Sequence, residues 1–159
     1  MERYQKIASH KKLQYYMKRI AEAEKGRKFC RHNWEHLMAV ARIAYILALE
    51  EKLPISKDYI YAAALLHDIG KEAQYLKGIP HEIEGAALAE GILQDCGYLP
   101  EEILLIIEAI LGHRVYREEN SDFQKLLYRA DKLSRPCRDC QAANRCNWPE
   151  EKKNTGVTI

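Results

Sequence analysis

Apolar segments of helix length, each stopped by a single Gly or Pro, run through most of the 159-residue chain, and nowhere do apolar and polar residues alternate long enough to make a strand. That punctuation predicts an all-α chain of about six helices. Residues 2–25 read as one polar amphipathic helix, with Ile7, Leu13, Met17, Ile20 and Ala21 at helical spacing and Gly26 as its stop. The second helix runs from about His32 to Leu53 and is apolar on most sides, hence central; Pro54 ends it. Ser56 caps a third, Lys57 to about Ile69, whose core of small and apolar residues (Tyr61-Ala62-Ala63-Ala64-Leu65-Leu66) permits close packing before Gly70. Pro80 opens a fourth, to about Cys96 and Gly97, and Pro100 a fifth, to Leu111. The run Ile103–Ile107 would suit a buried strand on apolarity alone, but its length, its Pro-Glu-Glu start and Gly112 favour helix. A sixth spans about Ser121 to Leu133. After Pro136 the chain turns Cys-rich and then polar, with disorder expected near 153–159, so the division is a helical domain over 1–135 and a Cys-containing tail over 136–159.

Composition narrows the class. With 47% hydrophobic and 30% charged residues the chain is an ordinary globular one, and a net charge of +2 argues against a nucleic-acid coat or membrane-surface protein. The start, Met1-Glu2-Arg3-Tyr4-Gln5-Lys6, leads into a charged helix and not an apolar leader, and no stretch reaches the ~18 apolar residues of a membrane span. A cytoplasmic location is therefore expected, where the five cysteines stay reduced.

Six histidines occur, and five fall where apolar helices begin or end. His67-Asp68 closes the small-residue helix; at a helix end both side chains can enter one cavity, offering nitrogen and oxygen ligands that suit Fe, Mn, Co or Zn. His36 precedes Val40, Ile43 and Leu47 on the buried stripe of its helix. His113 follows Ile106 and Ile110, His81 follows Pro80, and Asp131 faces inward after Leu127 and Tyr128. A buried carboxylate needs a positive partner, and a metal supplies one. A lone His on an apolar face is more often a core residue; these come as a set. His32, one turn before His36, is an alternative ligand or a partner behind the ligands, and His10 reads as solvent-exposed.

His36…His67-Asp68…Asp131 resembles the H…HD…D signature of the HD-superfamily metal-dependent phosphohydrolases. The flanking strings Glu35-His36-Leu37-Met38-Ala39-Val40-Ala41, Ala63-Ala64-Leu65-Leu66-His67-Asp68-Ile69-Gly70-Lys71 and Tyr128-Arg129-Ala130-Asp131 agree, over about residues 32–135. The resemblance implies an HD-domain helical bundle. His81 and His113 make the chain similar to the binuclear branch, which includes symmetrical dinucleoside-tetraphosphate hydrolases and cyclic-dinucleotide phosphodiesterases. It implies one divalent ion on His36, His67, Asp68 and Asp131, and a second on His81 and His113 with Asp68 bridging. The sequence departs from the tetraphosphatase pattern at Arg114-Val115-Tyr116 and Lys132-Leu133-Ser134, and lacks the GYP element of the cyclic-dinucleotide branch.

The implied activity is hydrolysis of a phosphate ester or anhydride in a nucleotide-like small molecule, by hydroxide activated between metals ~3.5–4 Å apart. Asp68 and Lys71 are the expected catalytic residues, with Lys71, Arg114 and Arg117 as phosphate contacts. Alternatives within the resemblance are an iron oxygenase using the same six ligands and a non-catalytic nucleotide-binding module. The expected partner is a phosphorylated small molecule, with a homodimer as the candidate assembly; neither a membrane nor a nucleic acid is expected. Separately, Cys137-x2-Cys140-x5-Cys146 has the spacing of thiolate ligands to zinc or an iron–sulfur cluster, with Cys30 the first choice for the fourth ligand and Cys96 or a His as alternatives.

Overall fold

The computed structural model describes residues 2–157 and 159. Among them are eight α-helices and three short 3₁₀ turns, with no strand. The helices are α1 (Arg3–Ala8), α2 (Lys11–Ala23), α3 (Trp34–Glu50), α4 (Lys57–Leu66), α5 (Lys71–Lys77), α6 (His81–Asp95), α7 (Pro100–Gly112) and α8 (Asp122–Leu133). The all-α reading holds, with two corrections to the helix count. The N-terminal segment is two helices, because the His10 ring accepts a bond from the Lys12 amide (3.2 Å) and caps a new start. His10 also bonds Asp95 at 3.2 Å, so it is a half-buried cap and not a free surface residue. The other addition is α5, between Gly70 and Pro80, where the sequence pattern predicts no helix.

Helix starts follow local chemistry. Ser56 Oγ accepts from the Tyr59 amide and Ser121 Oγ from the Gln124 amide, while Gln124 reaches back to the Ser121 amide. Pro100 is the first residue of α7, where its missing N–H is harmless, and Glu102 accepts from the Leu99 amide at 2.7 Å. Pro80, by contrast, is the residue before α6, so that His81 opens the helix. Gly97 closes α6 at φ 85°, which a side chain would resist.

α4 is the central helix. It packs against α1, α3, α6, α7 and α8. Ile60 and Ala62–Leu66 are buried on every side, and the three alanines let neighbouring helices approach closely. The helix stops at Leu66, three residues earlier than its apolar pattern suggests. His67 is its C-cap, and a turn closed by Ile69 N to Leu66 O (3.2 Å) and Lys71 N to Asp68 O (3.0 Å) carries the chain into α5. That turn directs His67 and Asp68 into the same interior volume. α5 and α6 then fold back so closely that a Cβ on Gly70 would sit 2.3 Å from the His81 carbonyl and 2.6 Å from the Gly85 nitrogen. Only glycine fits there.

The N-terminal helix is held by charge. Arg3 reaches Asp58 Oδ2 (2.9 Å) on α4 and both oxygens of Glu102 (2.5 and 2.9 Å) on α7, and Tyr59 donates to Glu102 at 2.8 Å. No helix among the described residues is long and apolar enough to cross a membrane.

Candidate metal centre and its basic cavity

Six side chains from α3, α6, α7, α8 and the turn after α4 converge in the interior. His36, His67, Asp68 and Asp131 bring ligand atoms within 4.8 Å of one another, and Asp68, His81 and His113 form a second such group. Asp68 belongs to both. All six are buried. The structure thus brings together every residue expected in the metal set.

The imidazoles share one orientation. His67 Nδ1 donates to the Ala64 carbonyl (2.7 Å) and His113 Nδ1 to the Ile110 carbonyl (2.5 Å). His81 Nδ1 faces Gln74 Oε1, and His36 Nδ1 faces Ser134 Oγ (3.1 Å), whose own hydrogen goes to the Asp131 carbonyl (2.7 Å). With each Nδ1–H committed to an acceptor, each Nε2 carries the lone pair and points inward.

Those lone pairs meet each other and two carboxylates. His36 Nε2 lies 3.1 Å from Asp68 Oδ2 and 3.3 Å from Asp131 Oδ1. His67 Nε2 is 3.0 Å from Asp68 Oδ2, yet it is buried with no hydrogen-bond partner. His81 Nε2 and His113 Nε2 face each other at 3.0 Å. Burial of acceptors against acceptors is costly unless a positive charge joins them. The titration of the groups reflects this. Burial alone would lower His67, but Asp68 and Asp131 outweigh it and lift the imidazole to about 9, so that without a cation its Nε2 takes up a proton in the place a metal would occupy. Burial dominates at His81 and pushes it down to about 2, leaving it a neutral donor. Asp68 and Asp131 are held well below the usual carboxylate range, against burial, by the surrounding histidines and cations. An orphaned imidazole nitrogen, two buried anions and a mixed nitrogen–oxygen donor set fit divalent first-row metals.

Of the contributors behind the donor set, His32 was expected from the sequence, whereas Glu24, Tyr75 and Arg135 were not. His32 is buried behind the ligands: Glu24 accepts from its ring and, at 2.9 Å, from its backbone amide, and its Nε2 stands 3.9 Å from Asp68 Oδ2. Tyr75 completes that group by donating to Glu24 at 2.7 Å. His32 is in neither group of ligand atoms lying within 4.8 Å of one another, whereas His36 is in the first. Arg135 is nearly buried and bonds Asp131 Oδ1 at 3.0 Å, while Lys132 takes Oδ2 at 2.7 Å. Its position four residues after Asp131 was a legible signal.

Next to the metal centre opens a cavity of about 840 Å³. His32, Lys71 and Arg135 form its inner end, Lys71 Nζ lying 4.0 Å from Asp68 Oδ1. Seven Lys and Arg side chains line it against one acid, Asp139, although the chain is almost neutral; Asp131, Asp68 and Glu150 lie against three of them (Arg135, Lys71 and Lys153), which leaves an excess of positive charge on the wall. Burial lowers the Lys71 ammonium. Arg114 does not line this cavity; it pairs with Glu82 at 3.3 Å, and Arg117 lies exposed on the surface.

An all-helical bundle with an H…HD…H…H…D donor set defines a class of metal-binding helical protein, and comparison with known proteins gives its family. Residues 33–135 match the HD domain family, and the chain belongs to it. An uncharacterized protein of Clostridium beijerinckii is 49% identical over 154 residues, 97% of each chain. Ribonuclease Y of Pelobacter propionicus is 30% identical over 118 residues, 74% of this chain but 21% of that protein. Among solved structures, a predicted HD superfamily hydrolase from an uncultured Thermotogales bacterium superposes with a TM-score of 0.63 at 26% identity, covering 89% of this chain and 81% of that one.

Proposed function

We propose that this protein hydrolyses a phosphate ester or anhydride of a nucleotide-like small molecule, using two divalent ions, of Fe, Mn or Co, at the histidine–aspartate centre. The observation that carries the reading is adjacency: Asp68 and Asp131 of the six-residue donor set lie 4.0 Å from Lys71 and 3.0 Å from Arg135, two of the seven cations that line the cavity. Bound there, the ions would polarise a phosphoryl oxygen and lower the pKa of a water ligand. His36, His67, Asp68 and Asp131 would hold one and Asp68, His81 and His113 the other. Lys71 and Arg135, between donor set and cavity, would hold the phosphoryl group and offset its charge. These cavity cations, not Arg114 and Arg117, are the anion contacts of the proposal. Phe29 and Trp148 on the cavity wall offer faces for a base. The Thermotogales protein is called a hydrolase, and Ribonuclease Y is by name an RNA-cleaving enzyme, which favours phosphoryl chemistry for the shared domain.

The test is phosphate release from a panel of nucleotides and dinucleoside polyphosphates by metal-loaded protein. Turnover in the wild type, with kcat/KM about 10²-fold lower in Lys71→Ala, is expected. Binding without turnover in metal-replete protein would make it a nucleotide sensor. Oxygen consumption without phosphate release would make it an oxygenase.

A further inference from the structure

Beyond Pro136 the chain forms three 3₁₀ turns, Cys137–Asp139, Ala143–Arg145 and Glu150–Lys152, and no α-helix or strand among its described residues. Only Cys137 and Ala142 are buried there, so the segment has no apolar core. Stretches of this length without regular structure need an organiser. The polar ties seen are few: Asn154 donates to the Lys132 and Arg135 carbonyls (2.8 and 3.0 Å), and Lys153 to the Ala143 carbonyl (3.0 Å). They nonetheless correct the expectation of disorder from residue 153, at least for 153 and 154; Thr158 lies outside the described residues.

Four of the five cysteines gather at this segment. Cys137, Cys140 and Cys146 line one cavity together with Cys30, which comes from the loop before α3. The fifth, Cys96, is buried in the helical core. None of the four is in a disulfide. Among the described residues no three of their sulfurs form a group within 4.8 Å of one another, unlike the histidine–aspartate donor atoms. A zinc tetrahedron with Zn–S of ~2.3 Å needs sulfurs about 3.8 Å apart, which this arrangement does not present. A cubane cluster takes one thiolate at each iron, holds the sulfurs farther apart, and needs room at their centre.

We propose that Cys30, Cys137, Cys140 and Cys146 ligate a [4Fe–4S] cluster that staples the tail to the loop before α3. Four thiolates from two distant segments meet the ligand count. Arg27, Arg135, Arg145 and Lys153 line the same cavity and balance the negative charge of a thiolate-ligated cluster. Arg27 also donates to the Cys30 carbonyl at 2.7 Å, which fixes the Cys30 loop on this wall. Burial raises the Cys30 thiol while Arg135 draws it back; ligation would release that proton. The site requires a reducing compartment, as the cytoplasmic expectation supplies; it does not depend on the hydrolase reading, but the cluster would take the cysteine-lined part of the same cavity and leave the substrate of that reading the part beside Lys71.

The test is iron, zinc and acid-labile sulfide per chain in anaerobically purified and reconstituted protein, with visible absorption and EPR after reduction. About four labile sulfides per chain are expected in the wild type, in Asp68→Ala and in Cys96→Ser, and their loss in Cys140→Ser. Labile sulfide is blind to the metals of the histidine centre, so the two sites report separately. Absence of labile sulfide from reconstituted wild type would overturn the proposal, as would one zinc per chain that Cys140→Ser removes. Retention of sulfide by Cys140→Ser would also overturn it.

Discussion

At the scale of single residues, the centre depends on groups that never touch a metal. Each inward Nε2 is aimed by a bond at the opposite nitrogen, and for His81 that bond goes to the Gln74 side chain on α5. Truncating Gln74 frees the ring to rotate and to change tautomer. Gln74→Ala is therefore expected to weaken the ion on His81 and His113 by about 10- to 100-fold while sparing the ion on His36, His67 and Asp131. A two-site metal titration by calorimetry reads this directly; equal loss at both sites would contradict it. The clustering of the six residues was legible in the sequence because the histidines and aspartates came as a set at the ends and inward faces of apolar helices, where one alone would more often be a core residue. His32 was legible as a partner behind them, but Gln74, Ser134, Glu24 and Tyr75 were not, because their roles arise from contacts between helices and leave no mark on local pattern.

At the scale of elements, α5 explains both a missed helix and a mechanical constraint. Its seven residues bury nothing completely, so no apolar stripe announced it. It exists because Gly70 lets the chain reverse against α6, placing Gln74 beneath His81. Gly70→Ala would drive a Cβ into the His81 carbonyl and the Gly85 nitrogen. We expect it to cost about 1–3 kcal/mol of stability. The ion on His81 and His113 should be lost before the other. Thermal unfolding followed beside metal content checks both; wild-type stability with two ions retained would show that the backbone yields freely. The six longer helices were legible from caps and stops. The break at His10 was not, since a histidine cap depends on the ring's orientation.

At the scale of the molecule, two charge assemblies have opposite purposes. The Arg3–Asp58–Glu102 cluster joins α1, α4 and α7 far from the site. Arg3 holds Glu102 down to about 2 from its ordinary 4.5, against a smaller effect of burial. Because the folded-state value is depressed, its contribution is present above pH 4.5 and is lost as pH falls towards 2. Glu102→Gln should therefore lose stability relative to wild type at pH 7 and converge with it in acid, measured on metal-free protein so that ligand protonation is shared by both. A constant difference across that range would contradict the assignment. The basic cavity, in contrast, gathers seven cations, of which Arg27, Lys28, Arg31 and Arg145 have no carboxylate partner among the described residues, although the net charge of +2 gave no hint of it. Its cations come from the loop before α3, from Lys71, from Arg135 and from the tail, segments that only the fold brings together.

The central claim is that one shared carboxylate organises a two-ion centre. The most direct measurement is metal content of Asp68→Ala beside wild type, after anaerobic purification and with labile sulfide determined on the same samples. The account predicts about two divalent ions per chain in the wild type beyond any sulfide-associated iron, and their loss in the variant with helical circular dichroism retained. Equal metal content in the two proteins would contradict it.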